Sequence, residues 1–115
     1  MSAVVRRRDD GGSVSAEFAV ALPAIVVMVL LSAGALTGAA AAVRAQDAAA
    51  DAARLVARGE DVGAATSVVV RSAGPARVQV HRRGELVCAD VTIDIRVAGV
   101  AFPVTGRSCA LEGGL

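Results

Sequence analysis

Few side chains in this sequence can do chemistry. Among 115 residues there is one histidine, His81, two cysteines, Cys88 and Cys109, and no tyrosine or tryptophan. His81 is followed by Arg82 and Arg83, and no serine–histidine–aspartate set can be assembled around it. It reads as a solvated imidazole. The cysteines lack C-x-x-C spacing, and no metal-ligand cluster or phosphate-binding glycine loop is present as a motif. The expectation is a protein that is not an enzyme, with no cofactor, no metal and no small-molecule substrate. One carboxylate stands apart. Glu17 borders 26 residues, Phe18 to Val43, that carry no charge. Deep in hydrocarbon a lone carboxylate costs roughly 2.5–3.5 kcal/mol or more, so Glu17 is expected to face a partner.

The uncharged run would reach about 39 Å as a helix, whereas a bilayer core needs about 20 residues. A transmembrane segment over about 18–43 follows, with membrane lipid as its surroundings. Arg6, Arg7 and Arg8 precede it. By the positive-inside rule the N-terminus is cytoplasmic and the C-terminal body extracytoplasmic, which places both cysteines where a disulfide can persist. Pro23, early in the run, is the expected site of a kink. A net charge of +1 and only two aromatic residues, Phe18 and Phe102, point away from nucleic acid.

These residues need elements to position them. Residues 1–12 form a polar leader ending in Gly11-Gly12, which should break a helix. The long helix is expected over 13–58, because the segment after Val43 is rich in alanine, the strongest helix former. Its charges fall at Arg44, Asp47, Asp51, Arg54 and Arg58, one stripe that reads as a solvated face. Gly59 fits the position after a helix end. Residues 59–115 would form a small α+β body. Asp61 can cap a helix over about 62–72, stopped by Gly74-Pro75.

From Ala76 the apolar period changes to two, predicting strands over about 76–82, 85–97 and 100–109. Taking Arg83-Gly84 as the first two-residue turn sets Val80 opposite Val87 and Arg77 opposite Asp90. Taking Ala98-Gly99 as the second sets Ile95 opposite Phe102, Asp90 opposite Arg107 and Cys88 opposite Cys109. Asp90 would then lie between two arginines as a surface pair of small energetic weight. A Cys88–Cys109 disulfide would stabilise the body by roughly 3 kcal/mol. The fold class expected is α+β: a long N-terminal transmembrane helix, a short helix and a three-stranded antiparallel meander, with Pro103 confined to its edge strand.

Gly12-Ser13-Val14-Ser15-Ala16-Glu17-Phe18, with arginines before it and the apolar run after it, resembles the prepilin-type leader of type IV pilins. The closer resemblance is to the TadE-like minor pseudopilins of the tight-adherence (Tad, Flp-type) pilus. It rests on Gly12, Glu17-Phe18-Ala19, the Ala/Val/Leu run and the Asp47–Arg54 continuation. The arginine-only, alanine-rich composition is similar to that of actinobacterial members. Ser13 departs from the family's bulky apolar first mature residue, and the cysteines map onto none of its motifs. The resemblance implies cleavage between Gly12 and Ser13 by a prepilin peptidase, making Glu17 the fifth mature residue. It further implies that Glu17 pairs with the new α-amino group of a neighbouring subunit, at far lower cost than an unpaired carboxylate. Other pilin or pseudopilin subunits are then partners, and the membrane platform and assembly ATPase are indirect ones. The alternative is an unprocessed single-pass membrane protein with a small extracytoplasmic binding domain.

Overall fold

The computed structural model describes the backbone from Ser2 to Gly113, with side chains from Ser13 onward. The side chains before Ser13, those of Arg6, Arg7 and Arg8 among them, lie outside the described residues, as does the surrounding of Gly12. The elements are α1 (Ser2–Ala57), α2 (Val62–Ala73), β1 (Ala76–Arg83), β2 (Leu86–Val97) and β3 (Val100–Leu111). This is the expected α+β order, one long apolar helix, one short helix and an antiparallel meander ordered β1-β2-β3. Helix α1 begins earlier than anticipated and passes through Gly11-Gly12, since each interior glycine costs only about 1 kcal/mol relative to alanine. It also runs through Pro23 without a break.

Two compact units divide the chain, one reaching Ala35 and one starting at Leu36. The body therefore begins inside α1 rather than at residue 59. The cause is an alanine stripe. Ala41, Ala45, Ala48, Ala49, Ala52, Ala53, Val56 and Ala57 are all buried, recurring every three or four residues so that they share one helix face. From Ala45 onward they share one core cluster with Val87, Ala89, Val91 and Ile93, the buried alternate residues of β2, and with Ala65 and Val69 of α2. The charged stripe lies opposite, solvated as expected. Asp51 and Arg54 form an exposed i,i+3 pair at 3.9 Å, while no Arg44–Asp47 pair forms.

Helix α1 ends in a Schellman arrangement. Gly59 N–H donates to the Val56 carbonyl at 3.0 Å and Glu60 N–H to the Leu55 carbonyl at 3.1 Å, which satisfies carbonyls of the last turn. Asp61 caps α2 by accepting from the Ala64 N–H at 2.7 Å. At the far end of the sheet, Gly113 N–H donates to the Ala57 carbonyl at 3.0 Å, and Arg82 pairs with Glu112.

The β2–β3 register is the one anticipated, with Ile95 opposite Phe102, Asp90 opposite Arg107 and Cys88 opposite Cys109. The β1–β2 register differs by two residues. The loop is Gly84-Glu85, so Val80 lies opposite Ala89, Arg77 opposite Thr92 and Gln79 opposite Asp90. Gly84 takes φ +58°, and a positive φ at the first loop position alone is the demand that a II′ turn places on glycine. The shift is even, so every side chain keeps its face. Asp90 consequently has one arginine neighbour instead of two: Arg107 is 3.5 Å away, while Arg77 reaches diagonally to Asp94 at 3.7 Å.

Candidate functional site

The residues around the helix entry are placed by α1 alone. Ser13, Glu17 and Phe18 are exposed, and the Glu17 carboxylate has no partner among the described residues. Beyond it, Val20, Leu22 and the seven consecutive residues Ile25 to Leu31 are each more than half exposed. Seven consecutive helical positions cover every direction around the axis. This is no amphipathic helix with one face to bury but a cylinder that is apolar all round. The stretch Ser13–Ala57 contains an 18-residue window of mean hydropathy 2.5, none of it buried. By length and composition it can cross a membrane. Ser32 fits that setting, because its hydroxyl donates to the Met28 carbonyl at 2.8 Å. Pro23 has no N–H to offer the Ala19 carbonyl.

On the outer face of the sheet, Cys88 and Cys109 are joined as a disulfide, with Cα atoms 4.0 Å apart and a sequence separation of 21. His81, Arg83, Asp90 and Arg107 surround it in a shallow depression. His81 is exposed and lies opposite Cys88. Both sulfurs are bonded and Asp90 is engaged by Arg107. Among the described residues no three potential metal ligands cluster.

Two positions that hold the body to its helix escaped sequence reasoning. Gln46 Nε2 donates to the Arg107 carbonyl, and Arg107 N–H donates to Gln46 Oε1 at 3.1 Å. One side-chain amide thus satisfies both free backbone groups at this point of the edge strand β3. Beside it, a Cβ on Gly106 would come within 2.3 Å of the Ala45 backbone carbon. Only glycine lets the strand lie against the helix backbone there. The available signal was slight: a lone uncharged amide in an alanine-rich segment, and one glycine in a strand, which marks close backbone approach.

The molecule is thus an α+β protein in which a single helix, apolar enough to serve as a membrane anchor, continues into the core of a disulfide-closed sheet body. Comparisons with protein-family models, with curated proteins and with solved structures return no match.

Proposed function

We propose that this chain is a minor pilin or pseudopilin of a Tad-type pilus, cut between Gly12 and Ser13 by a prepilin peptidase and acting in pilus assembly or secretion. It sits in the cytoplasmic membrane with its N-terminus in the cytoplasm and its body outside, available for incorporation in a surface pilus. The observation that carries the reading is the exposed, unpartnered Glu17 at the mouth of a helix that is apolar all round. A carboxylate at that place is stabilised by a positive partner from outside the chain's own described residues, and the α-amino group made by cleavage at Ser13 supplies one. Neighbouring pilin subunits bring that amine within reach, with the platform proteins and assembly ATPase acting on the assembly.

N-terminal sequencing of the protein from membranes of cells with an active prepilin peptidase tests the processing step. Ser13 is the expected first residue, and retention of Met1 or Ser2 would overturn the reading in favour of an unprocessed single-pass protein. Glu17→Gln tests the pairing. The variant is expected to insert and be cleaved like the parent yet to fail in assembly, seen as loss of sheared surface filament. Unchanged filament yield would remove the role given to Glu17.

A further inference from the structure

The end of the β2–β3 hairpin is apolar where a water-facing turn would be polar. No charged residue occurs from Val97 to Gly106, and Val100 and Phe102 are 54% and 49% exposed. Both belong to the sheet face that elsewhere packs on α1. Two contacts fix how this hairpin runs along the helix. Gly106 lies on the backbone of Ala45 and Gln46, and Ile95, opposite Phe102, reaches within 3.9 Å of a Cβ position on Gly38. From Gly106 toward the turn, the hairpin therefore follows α1 from Ala45 back to Gly38, and residues 97–101 lie farther on.

Gly38 is inside the uncharged run, which ends only at Val43. That run has 26 residues, and hydrocarbon takes up about 20. Whichever 20 they are, Gly38 falls at the edge of the hydrocarbon or within it. A hairpin end that continues past Gly38 then meets the bilayer and not bulk water.

We propose that Val97 to Phe102 form a second membrane contact, seated in the headgroup layer beside α1 with Val100 and Phe102 against the acyl boundary. This rests on α1 crossing a bilayer and is independent of pilus assembly. The depth is limited by chemistry. The unpaired outer edge of β3 needs water or headgroup partners for its N–H and C=O groups. Asp94 and Arg96, exposed on the opposite face, remain among headgroups, where the arginine stem can extend toward the surface.

The chain has no tryptophan, so single tryptophans report each region. Full-length Phe102→Trp, Val100→Trp, Leu30→Trp and Gln79→Trp proteins are reconstituted in phosphatidylcholine vesicles, with and without lipids brominated near the headgroup end of the acyl chains. Leu30→Trp reports the anchor and Gln79→Trp the exposed outer face of β1. The expected result is that the Phe102→Trp and Val100→Trp proteins lose most of their emission to brominated lipid and resist acrylamide, while Gln79→Trp does neither. Quenching of Leu30→Trp without quenching of either hairpin variant overturns the contact and leaves the anchor standing. No quenching at Leu30→Trp overturns the anchor and the contact with it. Hairpin tryptophans shielded from acrylamide but unquenched by lipid, with shielding that fades as protein is diluted in lipid, would assign the patch to a second copy and overturn the proposal.

Discussion

Gly106 shows how much a single position without a side chain can decide. A Cβ there would sit 2.3 Å from the Ala45 carbonyl carbon and 2.4 Å from the Gln46 nitrogen. Both are backbone atoms, which cannot swing aside as a side chain would. Gly106→Ala must separate β3 from α1 and weaken the Gln46–Arg107 pair beside it, for an expected loss of about 3 kcal/mol in denaturant unfolding. Gly38→Ala is the matched control, because its Cβ would meet only the Ile95 side chain at 3.9 Å, and it should change stability little. Ala98 is the opposite case. Among the described residues it is the one non-glycine with positive φ, 52°, followed by Gly99 at 80°, the pair of values that an I′ hairpin turn requires. Asparagine tolerates that region better than alanine, so Ala98→Asn should raise stability by about 1 kcal/mol, read as a higher thermal midpoint.

At the scale of elements, legibility followed locality. Strand β2 announces itself because alanines of α1 cover one of its faces and water the other, which leaves strict alternation in the sequence. The second turn is fixed by Ala98-Gly99 between two apolar residues, and from it the cysteine pairing follows by counting. The first turn was not fixed by its residues. Arg82-Arg83-Gly84-Glu85 offers two adjacent loops that conserve faces, and only the φ of Gly84 distinguishes them. The Gln46–Arg107 and Gly106–Ala45 contacts were illegible for another reason. They depend on how α1 is rotated over the sheet, which no local pattern encodes. The cysteine pairing has a measurable consequence. Joining residues 21 apart restricts the unfolded chain, so replacing Cys88 and Cys109 together by alanine should cost roughly 3 kcal/mol. Reductant added to the parent protein in urea should shift its unfolding midpoint to that of the variant. A midpoint that moves under neither treatment would show that the bond contributes nothing to stability.

For the whole molecule, the division at Leu36 changes what counts as the body. Eight of the fifteen apolar residues buried among those described, Ala41 to Ala57, come from α1, and most of them share one core cluster with the buried residues of β2 and with Ala65 and Val69 of α2. A chain of 57 residues starting at Gly59 keeps the disulfide and α2 but loses the surface on which β2 and β3 pack. Domains of that size are marginal even with a full core. A fragment from Leu36 to the C-terminus retains every buried residue, the Gln46–Arg107 pair and the Gly113–Ala57 hydrogen bond. Exported to an oxidising compartment, the longer fragment is expected to melt cooperatively and to protect the amides of β2 from exchange. The shorter one should give no cooperative transition by circular dichroism although its cysteines are paired. If it unfolds with the same midpoint as the longer fragment, the alanine stripe is only a resting place for an independent sheet. If it does not, the apolar helix and the sheet are one folding unit from Leu36 onward, and the anchor cannot be exchanged for another without its last turns, about six of them.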